Sequence, residues 1–275
     1  LKEAELSTLK AIKLKPDLSE ANYNLICILR DLGKIQELNH ATKSIPDSNL
    51  PNHEYKLRFT LETTIGNLIK GDFTETFINI NKTKELIKKG ILDSIKDKKN
   101  RNNTLNYYRF ITSLYPLLEK DNNNINAEKI PHIGESHCLS FSHQTFYLSS
   151  QLKQIQPVLI KGGKAWHFGN NKSNKWKDSL NEQIKNHKYS DTVFVSFGEI
   201  DCRKSEGILT YSGKNDKDIS EVCKETILNY IDFMEKVLSK NFTKRYYFGI
   251  AAPTQTKELV DELDKKRIKI VKIYN

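Results

Sequence analysis

Residues 191–203 read DTVFVSFGEIDCR. Val193, Phe194, Val195, Ser196 and Phe197 make the strongest strand signal in the chain, a short run of β-branched and aromatic residues. The run stops at Gly198-Glu199-Ile200-Asp201, where a glycine and two acids replace the apolar residues. A buried strand ending in this way predicts the carboxyl edge of a parallel sheet. At that edge α/β proteins turn from strand to helix and gather their functional groups.

The same change of character recurs on both sides of this stretch. Upstream, KIPHIGES (129–136) reads as a strand and a turn, LSFSHQTFYLSSQLKQI (139–155) as a helix, PVLIKGG (157–163) as a strand ending in two glycines, and KWKDSLNEQIKNHKYS (175–190) as a helix. Downstream, ISEVCKETILNYIDFMEKVLSK (219–240) is an amphipathic helix, with Asp218 and Glu221 suited to a capping box. RYYFGIAAPTQ (245–255) reads as a strand, and ELVDELDKKRIKIVKIYN (258–275) begins a further helix or strand. Strands alternating with helices over short connections predict an α/β three-layer domain with a mostly parallel sheet covered by helices on both sides. Gly134-Glu135-Ser136-His137, Gly162-Gly163 and Gly198-Glu199-Ile200-Asp201 would then share one sheet edge.

Before residue 130 the pattern is helical. AELSTLKAIKLKPD (4–17), SEANYNLICILRDLGK (19–34) and QELNHATKSIPD (36–47) carry apolar residues three and four apart and stop at Pro, Gly or Pro-Asp. Ala-Ile-x-Leu-x-Pro-Asp, then Glu-Ala-x-Tyr-Asn-Leu, then Leu-Gly-Lys, resembles the tetratricopeptide repeat over 1–48, with a degenerate second copy. The resemblance implies stacked helix pairs and a protein partner. Such pairs bury their faces on neighbours, and with Leu1 opening in mid-helix the chain reads as a fragment of a longer array. Residues 49–120 form an additional helical region, interrupted by a polar loop at DKKNRNN (97–103). Tyr107, Tyr108, Phe110 and Tyr115 serve there as core packing or as an aromatic recognition face. DNNNINAEK (121–129) reads as a linker before a domain at 130–275.

Composition narrows the function classes. The net charge of +10 comes from 44 basic against 34 acidic residues. The lysines are dispersed, as on a solvated surface, so nucleic acid is not expected as a partner, while an anionic ligand stays open. Four cysteines, at 27, 138, 202 and 223, match neither a zinc pattern nor a disulfide framework, and a cytoplasmic setting is the simplest reading. No apolar run reaches the roughly 18 residues of a membrane span. Phosphate-loop and dinucleotide fingerprints are both missing, and no cofactor is expected.

Ser136, one residue past a strand, would lie among backbone N–H groups at the start of a helical segment, where developing negative charge is stabilised. The alternative is that Ser136 is only a helix N-cap. Three such corners together resemble the SGNH (GDSL-like) hydrolase and acyltransferase superfamily. Gly134-Glu135-Ser136 stands for its first block, Gly162 or Gly163 for the second-block glycine, and Gly198-x-x-Asp201 for the third. The resemblance spans about 130–275. It implies a serine nucleophile at Ser136, an oxyanion hole from the Ser136 and glycine amides, and ester hydrolysis or O-acyl transfer on an acylated carbohydrate or similar small ester. Asp201 is the second catalytic candidate, while Gly134, Glu135, His137, Gly162, Gly163, His167, Gly198, Glu199 and Arg203 are candidate binding residues. Two departures stand out. Ile200 occupies the place of the family's oxyanion Asn, which leaves polar work to Glu199, Asp201 or Arg203. No histidine follows His187, so the family's base would lie outside this sequence or be another residue. A metal site from Glu135, His137, His167 and Asp201 has no ligand motif behind it, and none is expected. The competing function class is a non-catalytic glycan- or ligand-binding domain, with the repeats carrying the function.

Overall fold

The computed structural model describes residues 1–45, 50, 52–118, 127–187, 190–204, 206–251 and 261–275. It divides into two compact units, residues 1–127 with 140–154, and residues 128–139 with 155–275.

The first unit is helical apart from a hairpin. Its helices are α1 (Lys2–Leu14), α2 (Ser19–Asp31), α3 (Ile35–Ser44), α4 (His53–Lys70), α5 (Phe73–Lys88) and α6 (Lys98–Leu118). Leu25, Ile26 and Leu29 of α2 meet Leu38 of α3 and Phe59 of α4 in one apolar cluster, as their three- and four-residue spacing requires. In α4, Gly66 allows the close approach of Leu38, whose Cδ2 lies 2.7 Å from where a Cβ would stand. The expected loop at 97–103 is instead the start of α6. The Asp97 carboxylate accepts the Asn100 amide at 2.6 Å and starts the helix. The Pro46-Asp47 stop and the linker residues 121–126 fall outside the described residues.

The second unit contains the strands β1 (Glu128–Gly134), β4 (Thr192–Ser196), β5 (Lys244–Tyr247) and, from Ile155 on, β3 (Gln151–Leu159). With β2 (Thr145–Leu148) they form a five-stranded sheet of order β2-β3-β1-β4-β5. β1 pairs parallel with β4, and β4 with β5, while β2 and β3 are antiparallel. The sheet is therefore mixed and mostly parallel, and the protein is α/β. Its helices are α7 (Ala165–Gly169), α8 (Lys175–Ile184), α9 (Ile208–Asn215), α10 (Ile219–Leu238) and α11 (Glu262–Tyr274). Val193, Val195 and Phe197 alternate onto one sheet face and pack with Phe168, Leu180, Tyr230 and Met234 of the helices. A second cluster joins Cys202, Leu209, Cys223 and Ile270 around α9, α10 and α11.

The helix expected at 139–155 is replaced by a short 3₁₀ turn at Ser136–Phe141 and the β2–β3 hairpin. α7 and α9 were not expected. The segment at 258–275 resolves as a helix from Glu262, the Pro253-containing end of the expected strand 245–255 lies outside the described residues, and Asp218 caps α10 through the Ser220 and Glu221 amides.

Candidate active site

Register alone places two corners side by side, because Gly134 at the end of β1 pairs with Ser196 at the end of β4. Here β1 has no room for a side chain. A Cβ on Gly134 would stand 2.4 Å from the Ser196 hydroxyl and 2.8 Å from its carbonyl oxygen. The Ile160 amide donates to the Gly134 carbonyl at 2.8 Å, which ties the third strand end to the first. Gly198 adopts φ +123°, and its missing Cβ leaves space for the ring of Tyr274, 2.4 Å away from that position.

On this frame the first corner orders two polar side chains and a backbone amide around one carboxylate. Glu135 is 2% exposed. Its Oε2 accepts the Ser136 hydroxyl at 2.7 Å and the His137 amide at 3.3 Å, while Oε1 lies 2.5 Å from His137 Nδ1. The hydrogen bond to Glu135 raises the His137 pKa against the opposing effect of burial. Ser136 is half-buried and the His137 ring is 48% exposed, so the group is open on one side.

The second carboxylate comes from the β4 corner. Arg203 grips Glu199 Oε2 through Nε at 2.9 Å and Nη2 at 2.7 Å, and Arg267 of α11 stands 3.6 Å from Oε1. Glu135, His137 and Glu199 each offer a ligand atom, all within 4.8 Å of one another.

The remaining expected residues do other work. Asp201 is fully buried, and its two oxygens accept the Ala165 and Trp166 amides at 2.8 and 3.2 Å. Burial lifts its pKa to about 6, although those two hydrogen bonds favour the charged form. Asp201 therefore fastens the N-terminus of α7 to the third corner. The Gly163 amide is spent within its turn on the Ile160 carbonyl at 2.9 Å, and Gly162 takes the left-handed φ of +70°. His167 is buried, stacked on Trp176 at 3.5 Å between ring centres, and its Nδ1 accepts the Lys164 amide. Burial lowers its pKa to about 4, with Lys164 and Lys175 adding to the effect. Ile200 is buried and contributes no polar group. The structure thus brings Glu135, Ser136, His137, Glu199 and Arg203 together, whereas Asp201 and His167 are engaged with the N-terminal turn of α7.

Sequence reading missed two participants. His132 lies beneath Gly134, fully buried, with Nε2 2.8 Å from Ser196 Oγ. Its alternation with Gly134 along β1 was the available signal. Arg267 had none, being one cation in a basic run. Comparison with protein-family models, with curated proteins and with solved structures finds no match for this chain.

Proposed function

We propose that the second unit is a serine-dependent ester hydrolase or O-acyltransferase of SGNH type, acting on an acylated carbohydrate or a similar small ester. The observation that carries this reading is the 2.7 Å hydrogen bond from the Ser136 hydroxyl to Glu135 at a glycine-cornered strand end. A hydroxyl already donating to a carboxylate has its proton acceptor in place.

In this mechanism Ser136 Oγ bonds to the acyl carbonyl carbon as its proton passes to Glu135 Oε2. Charge developing on the carbonyl oxygen meets backbone N–H groups of the corner, with the Ser136 amide foremost. Collapse of the tetrahedral species breaks the ester bond, and the departing alkoxide takes the proton from Glu135. Water or an acceptor hydroxyl then attacks the acyl-serine, gives its proton to Glu135, and releases the acyl product while Ser136 recovers a proton. His137 holds the far oxygen of Glu135 and fixes the carboxylate's orientation. The helical unit recruits a protein partner.

A second reading is a non-catalytic ligand-binding domain. It is favoured by Ile200 in the third corner and by the engagement of Asp201 and Gly163 in internal bonds.

Fluorophosphonate labelling with peptide mass spectrometry separates the two. An adduct on Ser136, lost in Ser136→Ala, supports the enzyme. A folded chain that takes no adduct supports the binding domain.

A further inference from the structure

We propose that Glu135, His137 and Glu199 form a binding site for one divalent transition-metal cation of the Zn²⁺ or Mn²⁺ class. The inference goes beyond the ester reading and does not depend on it.

The ligand set arises from the architecture. Gly134-Glu135 and Gly198-Glu199 are the same dipeptide at the ends of two adjacent parallel strands. His137, two residues beyond Glu135, returns toward it. Donor atoms from three positions on two strand ends thereby lie within 4.8 Å of one another. Ligands sharing one such ion stand about 3–4 Å apart, so closure asks only for side-chain adjustment.

What distinguishes this group from an ordinary cluster of charges is its outer shell. In each carboxylate one oxygen is held by groups other than the three ligand side chains. Glu135 Oε2 is held by the Ser136 hydroxyl and the His137 amide, leaving Oε1 toward His137 Nδ1. Glu199 Oε2 takes both Arg203 contacts, while at Oε1 Arg267 stands at 3.6 Å, beyond a hydrogen bond. Carboxylate ligands are oriented in this way by the groups behind them. The two arginines also offset the charge of the two acids, and a dication brought between these acids and the imidazole would take the place of the His137–Glu135 hydrogen bond.

The chemistry of the donors selects the ion. Two carboxylates and one imidazole suit a borderline transition metal. Ca²⁺ asks for six to eight oxygens and Mg²⁺ for a nearly all-oxygen octahedron. The half-exposed His137 ring leaves a path for entry, and the positions not filled by protein would be open to water or substrate.

The test is isothermal titration of the full chain, freed of metal with chelator, with ZnCl₂, MnCl₂ and MgCl₂. One saturable site is expected, with Zn²⁺ tighter than Mn²⁺ and Mg²⁺ much weaker than both. His137→Ala and Glu199→Gln should each weaken binding at least about tenfold with unchanged circular dichroism. His40→Ala, at an exposed histidine far along the sequence, should not. Mn²⁺, which has little affinity for thiolates, guards against a site made by cysteines. Absence of saturable Zn²⁺ and Mn²⁺ binding, or one-to-one binding kept by both variants, overturns the proposal. Ser136→Ala separates the two readings, since it should abolish the fluorophosphonate adduct while removing only one of the two contacts on Glu135 Oε2, so that one saturable Zn²⁺ site remains, if weakened.

Discussion

The carboxylate of Asp201, at the β4 corner, accepts the amide of Ala165, the first residue of α7, at 2.8 Å. It ties the connection after β3 to the corner after β4. Removing it strands the buried Ala165 amide and the partly buried Trp166 amide, at about 1–3 kcal/mol. Asp201→Ala should therefore lower unfolding free energy by that amount, measured by urea titration. Asp201→Asn, which keeps one acceptor oxygen, should cost less.

Gly198 carries the sharpest steric prediction. Its φ of +123° suits glycine, and a Cβ would lie 2.4 Å from Cζ of Tyr274. Gly198→Ala should destabilise by more than about 2 kcal/mol through overpacking and backbone strain together. Combining it with Tyr274→Ala should give a loss smaller than the sum of the two single losses, because the second change removes the obstacle. Thermal unfolding of the three variants checks this.

Asp201 and Gly198 belong to one corner and show what the sequence could disclose. Strand β4, helix α10 and the glycine corners were legible, because apolar periodicity and the backbone freedom of glycine leave marks in residue type. The β2–β3 hairpin was not. Its turn uses positive φ at Ser149 and Ser150, and His143 has positive φ just before β2, all without a glycine to announce it. Phe141, Leu148, Leu152 and Ile155 stand seven, four and three residues apart, a helical spacing, so the segment read as a helix. The start of α6 was hidden in the same way, since its cap, Asp97, sits in a run of polar residues typical of loops. Within the site, Glu135 and Ser136 were legible as neighbours, whereas the approach of Glu199 depends on strand register. The engagement of Asp201 with α7 depends on an amide 36 residues away.

A buried ion pair in the helical unit gives a third prediction. Arg30 of α2 contacts Glu62 of α4, with side chains 6% and 5% exposed, and Arg30 also meets Asp31 at 2.7 Å. Glu62→Ala leaves the guanidinium short of a buried partner and should cost about 3–5 kcal/mol. Replacing both with apolar residues, Arg30→Met with Glu62→Leu, should cost less than Glu62→Ala alone, since neither charge then needs a partner. Chemical unfolding of the single and double variants decides it.

His132 sets a pH dependence. Burial lowers its pKa from 6.5 to about 4, with Glu135 opposing the shift. Above pH 6.5 the ring is neutral in both folded and unfolded chains. Between 6.5 and 4 the unfolded chain takes up the proton and the folded one does not, so the contribution to stability falls as pH falls. The loss reaches roughly 2–3 kcal/mol near pH 4. His132→Gln should show a shallower decline than the parent between pH 7 and 4.5 in urea unfolding. Equal slopes would assign the acid sensitivity to other groups.

The last prediction concerns the proton acceptor of Ser136. If Glu135 takes the hydroxyl proton during attack, Glu135→Gln should slow fluorophosphonate labelling of Ser136 by about 10²–10⁴-fold, the usual contribution of a positioned base. The amide keeps the size of the carboxylate and can still accept the hydroxyl hydrogen bond, so the corner should stay folded. His137→Ala gives a different result on the same reading. It removes the contact at Oε1 but leaves the acceptor at Oε2, so labelling should fall less than in Glu135→Gln. The comparison also distinguishes a distant base. Labelling that is nearly unchanged in Glu135→Gln but lost in Ser136→Ala would mean that another group takes the proton, and that Glu135 serves only to hold His137 and the corner in place.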